Sequence, residues 1–196
     1  MKIKYLGHSC FVVTSNNYAI VLDPFKDVRG FNDVELTANE VICSHSHFDH
    51  AYTEKINLIK ADSPFNNYKL SAYHDECKGS KRGLNDINIL CAENKKLVHL
   101  GDLGHELDDN YLKELKDVDV LMIPIGGTYT INDNQALKII NDINPKYIIP
   151  MHYKDGNKGL EVLTEINEFL IKAKEYQDRL LLVRGYQEEI EIWNHY

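Results

Sequence analysis

Four side chains that commonly bind metal ions lie within six consecutive positions of this 196-residue sequence. Residues 44–50 read SHSHFDH and contain three of the nine histidines together with one aspartate. One residue separates His45 from His47, so an extended segment would direct both imidazoles to the same side. Asp49 and His50 follow on the next turn of the chain. Four ligands this close would crowd one tetrahedral ion, whereas two ions roughly 3.5–4 Å apart would accommodate them.

The remaining ligands must come from other parts of the chain, and metal ligands on α/β scaffolds usually lie where strands end. Three strand-like segments, KLSAYH, KLVHLGD and KYIIPMH, end in His74, Asp102 and His152. Taken singly, a histidine or aspartate at a strand end is more often a hydrogen-bonded surface residue. Together with the loop, the three residues give seven nitrogen or oxygen ligands, which is a sensible number for two ions.

The elements that must position these ligands read as strands first and as strand–helix alternation afterwards. Short β-branched or aromatic runs separated by turn residues, including the hairpin signal Asn16-Asn17, predict strands in the first half. The predicted strands cover 2–7, 10–15, 18–24, 39–45, 69–74, 87–92 and 96–102. A helix is predicted to begin near Phe48 to Ala51, so that the ligand loop runs into its first turn.

The second half has helical periodicity over 108–117, 132–143 and 160–176. The continuous apolar run over 118–124 and the segment 146–152 predict strands, and the run over 118–124 is expected to be covered on both faces. Two short strands, LLLV and EIEIW, are predicted to close the chain. This order predicts layered sheets with helices outside, in an α/β (α+β) class of fold.

Composition limits the classes of function. The length predicts one domain over 1–196, with 43% hydrophobic and 27% charged residues as in ordinary globular proteins. The N-terminus lacks an export signal, and no apolar run approaches the ~18 residues of a membrane span, so a cytoplasmic location is expected. A net charge of −8 argues against nucleic acid as a partner, with CKGSKRG (77–83) the one basic candidate segment. The composition permits a homo-oligomer.

The four cysteines, Cys10, Cys43, Cys77 and Cys91, form no C-x-x-C pair. Without an export signal they are expected to be reduced and to act as buried or half-buried small residues.

The order of the metal motifs resembles that of a known family. H-x-H-x-D-H, a lone histidine, a Gly-Asp pair and a strand-terminal histidine follow one another as in proteins of the metallo-β-lactamase fold. The opening LGHSCFVV…YAIVLDPF is similar to the first strands of that superfamily. HLGDLGH, IPIGGTYT and IPMHY resemble its ascorbate-6-phosphate lactonase-like branch of Zn-dependent hydrolases. The resemblance covers nearly the whole chain and implies a four-layer αββα sandwich.

The resemblance also implies a role for each candidate ligand. The first metal would take His45, His47 and His74, the second Asp49, His50 and His152, and Asp102 would bridge the two. The sequence departs from the branch around YHDECKGSKRG, which leaves Asp75 as an alternative to His74.

The implied activity is metal-dependent hydrolysis with two divalent ions, of which Zn²⁺ is favoured and Mn²⁺ or Fe are possible. A hydroxide between the metals, oriented by Asp49, would attack an ester, lactone or phosphoester of a small soluble substrate. The alternatives are a phosphodiesterase or nuclease, or a metal-binding module of the same fold without catalysis.

Further residues are candidates for substrate contacts. Three side chains are alternatives for protonating the leaving group, namely His105, Tyr153 and His8. The alternative role for each is a hydrogen bond to a metal ligand that fixes the orientation of that ligand. Arg82 is a candidate clamp for a phosphate or carboxylate, although a solvated loop explains it equally well. Asp23 fits a structural role better than a ligand role. His99 is expected to be a strand residue, and His195 a tail residue without function.

Overall fold

The structure is a computed structural model that describes residues 1–182 and 189–192. Its strands, in chain order, are β1 (Lys2–Gly7), β2 (Cys10–Ser15), β3 (Tyr18–Leu22), β4 (Leu36–Ala38), β5 (Glu40–Ile42), β6 (Ile56–Leu58), β7 (Asn66–Tyr73), β8 (Leu84–Ala92), β9 (Lys95–His99), β10 (Val120–Pro124), β11 (Tyr147–Met151) and β12 (Glu189–Glu191). Its α-helices are α1 (Asp109–Glu114), α2 (Asp133–Ile143) and α3 (Ile166–Lys172).

The strands form two five-stranded sheets and one small pair. The first sheet has the order β12-β1-β2-β3-β5, and the second has the order β11-β10-β9-β8-β7. In the second sheet β10 runs parallel to β9 and β11, while β8 is antiparallel to both β7 and β9. The parallel pairs require crossover connections, and α1 and α2 lie in those connections.

Alternation along the strands divides the first sheet into two apolar faces. Phe11 and Val13 of β2 belong to a core shared with the second sheet and with residues of α2 and α3. Cys10, the first residue of β2, and Val21 of β3 belong instead to a second cluster on the opposite face. There Phe25 and residues of β4 and β6 cover the sheet. The described helices all follow residue 108. The layer that covers this outer face of the first sheet is therefore made of loops and short strands and contains no described helix.

Two predicted helices differ from the structure. Residues 47–51 form a single hydrogen-bonded turn, in which the amides of His50 and Ala51 both donate to the carbonyl of His47. The chain then leaves the turn because the Tyr52 amide bonds to the carbonyl of Pro24 on another segment. The predicted start of a helix there is therefore wrong.

The helix predicted over 160–176 is shortened to α3 and a 3₁₀ turn, Lys174–Tyr176. Residues 161–163 form a turn, after which Thr164 donates to the carbonyl of Gly126, and Ile166 donates to that of Lys154. These long-range bonds replace the bonds of a first helical turn.

The end of the chain agrees only in part with the predicted strands. Leu180 makes an isolated bridge to Ile148, so LLLV does not form a strand over its described residues. β12 forms within EIEIW and pairs with β1. Val183, Trp193 and His195 lie outside the described residues. Among those described, no helix has the length and apolar character needed to cross a membrane.

Candidate metal centre

Loops that follow the strands bring the predicted ligands together. The loop after β5 carries His45, His47, Asp49 and His50, while His74 directly follows β7. Asp102 comes three residues after the end of β9, and His152 directly follows β11. All seven side chains therefore reach one place from both sheets.

The first group of metal-binding atoms consists of His45, His47 and His74. One ring nitrogen from each lies within 4.8 Å of the other two. The ring of His45 is centred 4.5 Å from that of His47 and 4.6 Å from that of His74. Three imidazoles this close, with His74 buried, are the donor set that divalent transition metals prefer.

The second group contains Asp49, His50 and His152 and also includes His8. One donor atom of each again lies within 4.8 Å of the others, and all four residues are buried. His8 Nε2 lies 3.3 Å from Asp49 Oδ2, and the His8 ring is centred 4.2 Å from that of His152. The structure thus adds a fourth side chain to the three that the sequence pattern assigns to this ion.

Asp102 lies between the two groups. Its Oδ2 is 3.4 Å from His74 Nε2 in the first group and 3.2 Å from His152 Nε2 in the second. Its Oδ1 is 3.2 Å from His50 Nε2. One carboxylate therefore faces nitrogens of both groups, as a bridging ligand would.

Buried atoms in this cluster lack hydrogen-bond partners. Four of them face the middle of the cluster, namely His45 Nε2, His50 Nε2, His152 Nε2 and Asp102 Oδ1, and the others are the Nδ1 atoms of His8, His74 and His152. A buried polar atom without a partner costs free energy unless something else satisfies it. Imidazole nitrogens and a carboxylate oxygen that face one another in this way fit divalent cations.

Asp23 and Ser44 fix the orientation of two of the histidines. Asp23 Oδ2 accepts a hydrogen bond from Ser44 Oγ at 2.6 Å and lies 2.7 Å from His50 Nδ1. Ser44 Oγ also lies 2.9 Å from His45 Nδ1. Because the Nδ1 atoms are engaged in this way, His50 and His45 present Nε2 to the centre.

Asn85 and Gly101 set the position of Asp102. The Asp102 amide donates to Asn85 Oδ1 at 2.7 Å, and Asn85 Nδ2 donates to the carbonyl of Leu100 at 2.9 Å. Gly101 has φ +55°, and a Cβ there would lie 2.3 Å from Asn85 Oδ1. The glycine in LGD is therefore required both by its backbone conformation and by the close approach of Asn85.

The electrostatic environment differs among the ligands. Burial lowers the pKa of His45 to about 3, so its ring is neutral at pH 7. Burial also opposes the charged form of His50, but Asp102 and Asp23 outweigh it and hold the His50 pKa well above its usual value. Burial acts to raise the pKa of Asp102, and His152 and His50 instead hold it well below the usual range.

Asp75, the alternative to His74, has both carboxylate oxygens engaged. Oδ1 accepts from the amides of Cys77 and Gly79, and Oδ2 accepts from those of Lys81 and Arg82, at 2.7–2.9 Å. Burial would raise the Asp75 pKa, but these four bonds lower it to about 2. Asp75 therefore organises its loop, and the structure brings His74, not Asp75, into the ligand cluster.

Two candidates for leaving-group protonation lie away from the cluster. His105 Nδ1 lies 2.7 Å from the carbonyl of Glu106, and its Nε2 accepts from the amide of Tyr73. Both ring nitrogens are thus engaged by backbone. Tyr153 is buried in the core shared by the sheets, where its hydroxyl interacts with that of Tyr5. The structure does not bring His105 or Tyr153 to the ligands.

His8, the third candidate, is buried beside Asp49 rather than facing a substrate. Burial lowers its pKa to about 4, so the ring is neutral at pH 7. A neutral ring with a proton on Nε2 donates to Asp49 Oδ2. The sequence contains the signal for this position, because His8 directly follows the predicted strand 2–7, just as His74 and His152 stand at the ends of theirs.

A cleft of about 630 Å³ opens beside the centre. Four of the candidate ligands line it: His47, Asp49, His74 and Asp102. Its other lining residues are Ser46, Phe48, Arg82, Tyr129 and Leu160. The side chain of Phe48, between the ligands His47 and Asp49, forms part of the wall and is 54% exposed.

Comparisons with known proteins identify the family of this chain. A family model described as "Beta-lactamase superfamily domain" matches residues 2–152. The chain is 28% identical to a UPF0173 metal-dependent hydrolase of Carboxydothermus hydrogenoformans, over 89% of this chain and 92% of the relative.

Among solved structures, a proposed Zn-dependent hydrolase of the metallo-β-lactamase superfamily from Thermotoga maritima is 32% identical. It superposes with a TM-score of 0.69 over 87% of this chain and 84% of its own. An isothiocyanate hydrolase from Delia radicum gut bacteria superposes with a TM-score of 0.73 at 14% identity, covering 97% of this chain and 99% of its own, which shows the fold alone. The chain therefore belongs to the beta-lactamase superfamily domain family, has the metallo-β-lactamase fold that its motifs predict, and is a metal-dependent hydrolase.

Proposed function

We propose that this protein is a dinuclear hydrolase that cleaves an ester, lactone or phosphoester of a small substrate, in the manner of the ascorbate-6-phosphate lactonase-like branch. The observation that carries the proposal is the position of Asp102, whose two oxygens face nitrogens of both histidine groups at 3.2–3.4 Å. Zn²⁺ is the proposed ion, with Mn²⁺ or Fe as alternatives that the same donors accept.

The proposed ligand sets follow the two groups. The first ion takes His45, His47 and His74, and the second takes Asp49, His50 and His152, with Asp102 shared between them. His8 is proposed to hold Asp49 in place through Nε2 and not to bind substrate. An imidazole that contacts a ligand carboxylate fixes which oxygen the carboxylate offers to the metal.

When bound, the ions would supply a water acidified to hydroxide near neutral pH and would polarise the bond to be cleaved. Asp49 lines the cleft and can accept a hydrogen bond from that water. Burial would raise the Asp49 pKa, but His8 and His50 hold it well below its usual value, so the side chain is a carboxylate. In ester hydrolysis the oxygen of water bonds to the acyl carbon, the ester C–O bond breaks, and the leaving oxygen takes up a proton.

A cleft of about 630 Å³ suits a small molecule as the substrate. The carboxylates of Asp49 and Asp102 beside it and the net charge of −8 disfavour a nucleic acid. A phosphodiesterase and a non-catalytic metal module are the two alternatives that the activity test must separate from ester hydrolysis.

Metal content tests the shared carboxylate. Asp102→Ala should lose or misplace both ions, whereas His74→Ala should lower the occupancy of one site only. Metal analysis of the purified proteins by mass spectrometry would measure this. Asp119→Ala is a matched control, because Asp119 is also a buried aspartate but bonds to the Lys96 amide and Lys146 instead. Two ions per chain in Asp102→Ala would contradict the bridging role.

Activity tests the reaction class. The metal-loaded protein should hydrolyse members of a panel of p-nitrophenyl esters and lactones, with added Zn²⁺ or Mn²⁺. Faster turnover of bis(p-nitrophenyl) phosphate than of any ester would favour the phosphodiesterase. Full metal occupancy without turnover of any substrate would contradict hydrolysis and favour the non-catalytic module.

A further inference from the structure

We infer that the cleft selects a substrate that carries an anionic group on an apolar body, with Arg82 binding the anion. The inference rests on the proposed hydrolytic function and names the class of substrate for the same cleft. It depends on three features, namely a guanidinium without an acidic partner, a loop built to hold it, and apolar walls on either side.

The Arg82 side chain is half-buried in the wall of the cleft that also exposes His47 and Asp49. Nη2 donates to the carbonyl of Thr128 at 3.4 Å, and Cζ lies 5.4 Å from the centre of the Tyr129 ring. Among the described residues no carboxylate pairs with it, although every guanidinium N–H is a donor. A half-buried arginine with free donors beside a reaction centre is suited to a carboxylate or phosphate.

The loop that carries Arg82 is fixed before any ligand arrives. Asp75 accepts hydrogen bonds from four amides of residues 77–82, including the amide of Arg82 itself at 2.8 Å. The loop is closed by a bond from the His74 amide to the carbonyl of Gly83. A preorganised loop reduces the entropy lost on binding, so the guanidinium can contribute more of its interaction energy to affinity.

The remaining walls are apolar. Phe48 and Leu160 present hydrocarbon to the cleft, and Tyr129 presents a ring that is 38% exposed. Apart from Arg82 and the metal ligands, polar side-chain groups in the lining are the hydroxyls of Ser46 and Tyr129. A sugar-like substrate with many hydroxyls would lose its bonds to water without recovering them here. An aryl or alkyl body would instead gain from burial of apolar surface.

Two ester substrates of matched length test the anion. p-Nitrophenyl hexanoate is neutral, whereas the mono-p-nitrophenyl ester of adipic acid has the same chain length with a carboxylate at its end, too far from the ester to attack it readily. We expect the metal-loaded protein to have a kcat/KM at least about tenfold higher for the adipate ester. Arg82→Gln should reduce this ratio by about tenfold or more, and Arg82→Lys should reduce it less.

Arg179→Gln is the matched control. Arg179 is also half-buried and lies 5.1 Å from a tyrosine ring, that of Tyr176, but it bonds to Asn144 and Pro145 instead of lining the cleft. The ratio should be unchanged in this variant. An equal ratio for wild-type protein and Arg82→Gln would overturn the assignment of the anion to Arg82.

A binding measurement separates this inference from the proposed hydrolysis. Isothermal titration of the metal-loaded protein would compare 3-phenylpropionate with the neutral 3-phenylpropan-1-ol and with the hydroxyl-rich anion gluconate. We expect 3-phenylpropionate to bind at least about tenfold more tightly than either, and Arg82→Gln to remove most of its advantage over the alcohol.

The two tests can fail separately. If neither ester is hydrolysed but 3-phenylpropionate still binds most tightly, the proposed ester hydrolysis is contradicted and the inferred anion site is supported. If gluconate or the alcohol binds as tightly, or if Arg82→Gln binds 3-phenylpropionate unchanged, the inference is wrong.

Discussion

At the scale of single residues, the histidines of the candidate centre differ in the protons that they carry. Burial lowers the pKa of His45 to about 3, and burial together with neighbouring histidines lowers that of His8 to about 4. His50 is fully buried but lies between Asp102 and Asp23, which hold its pKa well above the usual value. In the metal-free protein at pH 7, His45 is thus neutral and can bind a metal through its unprotonated nitrogen. His50 is instead protonated on both ring nitrogens.

Metal binding at pH 7 should therefore release about one proton from His50, in addition to any proton given up by a metal-bound water, because His50 must lose the proton on Nε2 before that atom can bind an ion. The sign follows from the raised pKa: the release should diminish as the pH rises through the pKa of folded His50. Calorimetric titration of Zn²⁺ in Pipes and in Tris, which differ in ionisation enthalpy, would count the protons. His50→Gln should release correspondingly fewer, and equal release from both proteins would contradict His50 as the source.

At the scale of elements, the sequence predicts the strands that end in ligands well, because each is a short apolar run bounded by turn residues. β7, β9 and β11 form within or around their predicted segments, and β10 is buried throughout as its continuous apolar run predicts. The segments that differ from the predictions all depend on hydrogen bonds to distant parts of the chain.

Residues 160–165 have helical periodicity but bond to Gly126 and Lys154. β4 and β6, which were not predicted, are only three residues each and pair with one another. Pairings between distant segments leave no local signal.

The loop over residues 75–83 is the element for which the sequence leaves alternatives open. Asp75 next to His74 has the composition of a ligand pair, and only the folded loop reveals that four amides converge on its carboxylate. Arg82 could be singled out by residue type, but its place in the cleft depends on that convergence.

Asp75→Asn should loosen this loop, since an amide offers one acceptor oxygen where the carboxylate offers two. The amides of Lys81 and Arg82, or those of Cys77 and Gly79, would lose their acceptor. Hydrogen exchange followed by mass spectrometry should show faster exchange in a peptide covering 77–82. Exchange in β8 should stay slow, because its amides bond to β7 and β9. Unchanged exchange over 77–82 would mean that the loop is held by other contacts.

At the scale of the whole molecule, the candidate centre joins the two sheets. His8 follows β1, and His45 to His50 follow β5, both in the first sheet, whereas Asp102 and His152 follow strands of the second. The sheets also meet directly here, where the His152 amide donates to the carbonyl of His8 at 2.8 Å. Ions held by residues from both sheets would therefore bind the folded chain and not the unfolded one. The extent of one domain over 1–196 stays a prediction.

Bound metal should for this reason raise the thermal stability of the whole chain. At a free concentration about 100-fold above Kd, a single ion adds about 2.7 kcal/mol. For a chain of this size that corresponds to a rise in Tm of roughly 5–10 °C.

Differential scanning calorimetry of chelator-treated protein with and without Zn²⁺ would measure this rise in Tm at pH 7.5 and pH 5.5. The rise should be smaller at pH 5.5, because protons then compete more strongly with the ion at His50, whose pKa is raised. Asp102→Ala should lose most of the rise at both pH values, whereas Asp119→Ala should keep it even if its metal-free Tm is lower. A rise of equal size in Asp102→Ala would mean that the stabilising ion binds elsewhere on the chain.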